Sequence, residues 1–325
     1  MLNLEDMNFP EFLAQYPLIL TEGSIVERLR RGDSLPLDPM LVHAGFLFSE
    51  QGRDALGTLF RQYLNIGREY NLPFLIFTPT WRANPDRISQ AGMDLLDING
   101  EACRFLNTIR NEYGTYSDKI QIGGLMGCRG DAYKPEETLS TEEAFIFHQT
   151  QVNALAQGGA DFLFAATLPA FPEALGLGKA MAQTGKPYIL SFILDPSGTL
   201  LDGTPFNQAM ELLEKELSPR PVGYMANCMH PVRLDPVLRS VMAQSPELLS
   251  RFLGLQANAS TLSPSELDGL DQLSADEPQH LAANMMILHQ RYGLKIMGGC
   301  CGTDDRFIHC LGWKMQQILT HTPSF

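Results

Sequence analysis

The stretch EPQHLAANMMILHQRYGLKIMGGCCGT, residues 277–303, holds one complete structural unit. Glu277 to Tyr292 carries apolar residues at helical spacing, and Gly293 follows it as a helix C-cap would. Lys295 to Met297 is then a short apolar run of the kind that forms a buried parallel strand, ending in Gly298-Gly-Cys-Cys-Gly302. Helix, glycine stop, short strand and a glycine-rich exit make a repeating β/α pattern the first expectation.

The same pattern recurs upstream. Short apolar or β-branched runs lie at Pro17 to Thr21, Phe74 to Thr78, Ile120 to Leu125, Asp161 to Ala165, Tyr188 to Ile193, Val222 to Asn227 and Phe252 to Ala257. With Lys295 to Met297 they make eight. Between them Gln51 to Tyr70, Thr141 to Gln157 and Phe206 to Leu217 have helical spacing, and Gly158-Gly159 precedes the fourth run as a helix stop. Eight strands with intervening helices predict a (β/α)8 TIM barrel rather than an open doubly wound sheet, which rarely holds eight parallel strands in so regular an order. No G-x-G-x-x-G stands between a strand and a helix, so a dinucleotide-binding fingerprint is missing.

At 325 residues and 44 % apolar composition the chain can bury a large core, and no Pro/Ser-rich linker divides it. We expect one barrel domain over residues 1–325. The 37 acidic residues outnumber 24 basic ones, for a formal charge of −13 that disfavours nucleic acid and anionic membrane surfaces. The opening Met1-Leu-Asn-Leu-Glu-Asp6 lacks a basic and apolar leader, and no run reaches the roughly 18 apolar residues of a membrane helix, so a cytoplasmic location is expected. The polar segment Ala259 to Glu277 reads as a loop after the seventh strand, on the side of a barrel where function resides.

Six cysteines are too few for a disulfide scaffold in a chain of this length, which shifts attention to metal binding or catalysis. Cys228 follows the sixth run and Cys300-Cys301 follow the eighth, all at C-terminal strand ends. In a barrel those strands flank the seventh, so three sulfurs can converge at one mouth. Three thiolates suit zinc and leave its fourth position open for a substrate. A vicinal Cys300–Cys301 disulfide in a redox protein is the competing reading. Cys103, Cys128 and Cys310 read as small buried hydrophobes. His230 and His309 read as hydrogen-bonded neighbours rather than ligands.

Gly298-Gly-Cys-Cys-Gly-Thr303 and Asn227-Cys228 followed by Pro231 resemble the two signatures of the homocysteine S-methyltransferase family, over nearly the whole chain. Glu22-Gly23, Thr78-Pro-Thr-Trp81, Gly127-Cys-Arg-Gly130 and Gly158-Gly-Ala-Asp161 are weaker echoes of it. The resemblance implies zinc on Cys228, Cys300 and Cys301, binding the thiol of homocysteine or a related small thiol and accepting a methyl group from an activated donor. It implies Glu22, Gly23, Thr78 and Asn227 as substrate contacts, with no catalytic side chain beyond the metal-activated thiol. Two departures stand out. Glu22 replaces the family's usual Asp, and Ala166-Thr167 replaces Glu-Thr, a carboxylate that similar enzymes place near the substrate's amino group. Two further readings follow: a thiol-methylating component served by a separate corrinoid protein, since no segment is left for a cobalamin domain, and an inactive zinc- or thiol-binding relative.

Several neighbouring residues keep two readings. Thr78 and Thr80 either bond a substrate carboxylate or cap the next helix. Trp81 either faces a cationic donor or packs. Asn227 either orients the Cys228 loop or touches substrate, and Arg129 either meets a carboxylate or lies in solvent.

Overall fold

The computed structural model describes residues 7–32, 35–262 and 275–321. The opening Met1 to Asp6 and most of the Ala259 to Glu277 loop fall outside them. Eight parallel strands close into a barrel in chain order: β1 Ile19–Thr21, β2 Phe74–Phe77, β3 Ile120–Met126, β4 Phe162–Leu168, β5 Tyr188–Phe192, β6 Gly223–Met229, β7 Phe252–Ala257 and β8 Ile296–Gly299. β1 pairs with both β2 and β8, so the ring has no free edge. The (β/α)8 expectation is therefore met.

The helices are α1 Phe9–Gln15, α2 Val26–Arg31, α3 Glu50–Glu69, α4 Pro85–Gln90, α5 Ile98–Asn111, α6 Thr141–Gly158, α7 Phe171–Gln183, α8 Phe206–Glu216, α9 Pro231–Gln244, α10 Pro246–Leu249, α11 Pro278–Tyr292 and α12 Asp305–His321. α6 starts at a capping box, with Ser140 and Glu143 satisfying each other's backbone amides, and stops at Gly159 with φ 104°. α11 stops at Gly293 with φ 74°, as its sequence requires.

Two apolar layers result. The larger lies between the strands and the helices around them; the smaller fills the barrel with Ile19, Leu75, Phe77, Phe162, Phe164, Ile189, Met225, Leu253 and Ile296. α1, which the eight-run reading leaves out, closes the N-terminal mouth. Its Phe9 ring stacks on Phe162 at 3.8 Å between centroids, and Phe12 and Leu13 join the same inner cluster. One end of the barrel is thus plugged by apolar packing, which leaves the C-terminal end to form a site. No helix among the described residues is long and apolar enough to cross a membrane.

Candidate metal centre and thiol cavity

The strands deliver the cysteines somewhat differently from their sequence reading. β6 runs on to Met229, so Cys228 lies within its last turn of pairing rather than beyond it. There the β6–β7 register breaks between Asn227 and Met229, and Cys228 takes a left-handed φ of 55°. The β4–β5 register breaks in the same way between Ala165 and Leu168, where Thr167 has φ 57°. Bulges re-aim side chains at strand ends. Here one turns a sulfur toward the barrel mouth.

The strained pair is held by Asn227. Its buried carboxamide oxygen accepts the Thr167 amide at 3.0 Å and the Ser191 hydroxyl at 2.8 Å, tying together the ends of β4, β5 and β6. Trp81 Nε1 donates to Thr167 Oγ1 at 2.9 Å. Across the mouth, Thr303 Oγ1 accepts the Ser24 amide and donates to the Cys300 carbonyl at 2.6 Å, fastening the β8 exit to the β1 exit. A Cβ on Gly298 would overlap Thr21 Oγ1, and one on Gly299 would overlap Thr303 Oγ1, so both glycines are there for close backbone approach. Glu27 in α2 accepts the Gly302 amide and completes the frame around the cysteines.

The sulfurs of Cys228, Cys300 and Cys301 all lie within 4.8 Å of one another. Cys228 and Cys301 are 3.7 Å apart and Cys300 and Cys301 3.9 Å, against about 3.8 Å for two thiolates on one tetrahedral zinc with Zn–S near 2.3 Å. The donor set therefore fits zinc. Cys228 and Cys300 are joined as a disulfide with Cα atoms 5.5 Å apart, which leaves Cys301 as the free thiol of the three. The disulfide joins β6 to β8 and is not the vicinal Cys300–Cys301 pair. A metal needs all three thiolates, so the bonded and ligating states exclude each other. Burial, with the Glu27 carboxylate nearby, pushes the Cys301 thiol up to about 11.

Beside the cluster is a cavity of about 230 Å³, lined by residues from the β1 exit, β2, β3, β4, β6, β7 and β8. Its floor is apolar, with Phe77, Leu125 and Ala166; Glu22, Gly23, Trp81, Thr167 and Asn227 also line it. Glu22 is buried, and its carboxylate accepts the Phe77 amide at 3.1 Å. Burial holds its pKa well above the usual carboxylate range, the Phe77 hydrogen bond only partly opposing it.

The other residues singled out in the sequence have the following partners. Thr78 is fully buried outside the cavity lining: its hydroxyl accepts the Leu125 amide at 2.8 Å and meets Thr80 Oγ1 at 2.7 Å, a strap between β2 and β3. Arg129 pairs with Asp86 at the surface. One face of the Trp81 ring is covered by Arg82, 4.2 Å from its centroid. His230 caps α9 and contacts Asp276, while His309 sits with Tyr70 and Glu69 on the outer helices. Cys103 and Cys128 are buried as expected, but Cys310 is only partly so. His43 and Glu27 line the cavity without any signal in the local sequence pattern, because barrel closure alone brings their loop and helix to the mouth.

Residues 19–313 match the family described as homocysteine S-methyltransferase. The chain belongs to the homocysteine S-methyltransferase family. It is an enzyme of the methyltransferase class that acts on a thiol. The chain is 25 % identical over 252 residues to homocysteine S-methyltransferase of Escherichia coli (strain K12), covering 72 % of this chain and 77 % of that one. It is 24 % identical over 175 residues to homocysteine S-methyltransferase YbgG of Bacillus subtilis (strain 168), covering 54 % and 53 %. Its fold is similar to the crystal structure of the homocysteine methyltransferase MmuM from Escherichia coli in a metallated form, with TM-score 0.74, 21 % identity, and 93 % and 98 % of the two chains covered. The oxidized form of that protein gives TM-score 0.74, 22 % identity, and 93 % and 97 % coverage.

Proposed function

We propose that this chain is a zinc-dependent S-methyltransferase that moves a methyl group from an activated donor to homocysteine or a closely related small thiol. The single observation that carries the zinc reading is the tetrahedral spacing of Cys301 from Cys228 and Cys300 at the wall of a small closed-floored cavity. That MmuM is known in metallated and oxidized forms supports two such states here, one binding metal and one disulfide-bonded.

Cys228, Cys300 and Cys301 would hold the ion. When bound, zinc lowers the pKa of a coordinated substrate thiol, which otherwise is mostly protonated at neutral pH. The remaining work belongs to the protein. Asn227 and Thr303 hold the sulfurs in place, Phe77, Leu125 and Ala166 exclude water from the cavity, and Glu22 offers a carboxyl to an ammonium. Ala166 cannot pair with that ammonium. Glu22 takes that role, and a cation beside it restores the charge that burial suppresses. Methyl transfer to sulfur needs no proton relay at carbon, so positioning and thiolate delivery supply most of the rate.

The test is metal content and turnover together. Chain purified under reducing conditions should hold about one zinc, lost in Cys228→Ala, and should methylate homocysteine from at least one sulfonium or quaternary ammonium donor. Turnover only on adding a methylated corrinoid protein would instead make it one component of a two-protein system. Zinc binding without methylation of any thiol would sink the catalytic reading, and no zinc in fully reduced protein would sink the metal reading.

A further inference from the structure

The cavity wall between β1 and α3 has a feature that the chemistry at sulfur leaves unused. Asp38 and Val42 exchange backbone hydrogen bonds of 3.0 and 2.9 Å, the Asp38 carboxylate accepts the Met40 and Leu41 amides at 2.8 and 2.7 Å, and Arg87 Nη1 donates to the Met40 carbonyl at 2.9 Å. Within this tight loop Val42 is held at φ 57°, a left-handed conformation that β-branched residues rarely adopt. Such strain persists only where the surroundings over-determine it, and it concentrates at binding sites.

Its consequence is the placement of the next residue. His43 is 4 % exposed and its ring lines the thiol cavity. Nδ1 is sealed without a hydrogen-bond partner, and among the described residues Nε2 has none either. Nε2 is then the nitrogen that a ligand in the cavity can reach. Burial keeps the imidazole neutral, its pKa lowered to about 4. Buried polar groups are normally paired, so a strained loop that presents an unpaired imidazole to a substrate cavity points to a ligand as the missing partner. Arg30 lines the same cavity from α2, exposed and without an ion pair among the described residues, and adds positive potential at the mouth.

We propose that His43 is a substrate-binding residue whose Nε2–H donates to a carboxylate in the thiol cavity, making the enzyme select carboxylate-bearing over carboxylate-free ligands. This rests on the thiol-methyltransferase reading for the nature of the ligand. A carboxylate is an acceptor only, so it recruits the protonated edge of the ring and forms a charge-assisted bond, stronger than a hydroxyl would give. The carboxylate belongs to the acceptor thiol or to the methyl donor, and the test separates the two.

Zinc-loaded parent, His43→Leu and His43→Gln chains are titrated calorimetrically with homocysteine and with 3-aminopropane-1-thiol, which keeps the chain length and amine but lacks the carboxylate. KM is then measured for a carboxylate-bearing donor such as S-methylmethionine. If the acceptor supplies the carboxylate, His43→Leu weakens homocysteine at least tenfold and the aminothiol less than threefold, with His43→Gln recovering much of the difference. If the donor supplies it, thiol binding is unchanged and donor KM rises at least tenfold in His43→Leu. Equal weakening of both thiols, or no change in either arm, overturns the assignment. Failure of the parent itself to bind any thiol overturns the thiol reading, and this assignment with it.

Discussion

The Asn227 side-chain oxygen lies 3.0 Å from the Thr167 amide nitrogen, and both Thr167 and Cys228, the residue that follows Asn227, have left-handed backbones. One buried carboxamide thus stabilises two strained positions on different strands, one of them a proposed metal ligand. Such outer partners commonly contribute 10- to 100-fold to metal affinity. Asn227→Ala should weaken zinc binding by about that factor and lower stability by about 1–3 kcal/mol, since the Thr167 amide and Ser191 hydroxyl lose their acceptor. A competitive chelator titration beside a denaturant melt measures both; unchanged zinc affinity would count against the supporting role.

For the proposed zinc centre, the Cys228–Cys300 disulfide makes uptake conditional on redox state. Oxidised chain, denatured and alkylated, should show four free thiols, those of Cys103, Cys128, Cys301 and Cys310, and should bind no zinc at the centre. Treatment with a phosphine reductant should expose all six cysteines and restore about one zinc. Peptide mapping of the oxidised form should find Cys228 joined to Cys300. A Cys300–Cys301 link would contradict the geometry.

His43 gives stability a distinct pH signature. Its folded pKa, about 4, lies below the roughly 6.5 of an unfolded histidine, so between those values the unfolded chain binds more protons and stability rises with pH. Acidifying from about pH 6.5 to 4 should cost up to about 3 kcal/mol through this residue alone. Urea melts of parent and His43→Gln across that window should show the shallower slope in the variant.

Glu22 works in the opposite sense. Its pKa is raised on folding, so its contribution is fully present below the unfolded carboxyl pKa and is lost as pH rises through the folded one. Glu22→Gln should therefore be more stable than the parent at neutral and alkaline pH. If Glu22 pairs with the substrate ammonium, the same change should weaken an aminothiol about 10- to 100-fold, the worth of one charged hydrogen bond of about 1.5–3 kcal/mol. A variant that gains stability and keeps its affinity would separate the two roles.

The barrel plug is testable on its own. Phe9 is 1 % exposed and stacks on Phe162, so Phe9→Ala should cost about 3–5 kcal/mol by leaving a cavity at the N-terminal mouth, far from the cysteines. Zinc binding by the folded variant should be unaffected.

The alternation of short apolar runs with helical stretches was enough to predict eight strands, because each parallel strand is buried on both faces and each helix on one stripe, and both patterns are local. Phe252–Ala257 matches its expected bounds; β3, β4, β6 and β8 run on past their expected C-terminal ends, and β1, β2 and β5 are shorter than the runs that predict them. Cys228, Cys300 and Cys301 were legible because cysteines at strand ends converge in any barrel. Thr78, expected as a substrate contact, was less legible: at a strand end a side chain can face the mouth or the neighbouring strand, and only its bonds to Thr80 and Leu125 show how it is turned.

Pairing between distant segments was beyond the sequence. That Cys228 bonds Cys300, that Asn227 bridges three strands, that α1 closes the barrel and that His43 faces the cavity all depend on contacts across the ring. Residue patterns encode which face of an element is buried, and so they determined the fold and the strand ends at which the three cysteines meet. Partner identity depends on closure of the barrel, which brings the β1 exit against the β8 exit and turns separate motifs into one site.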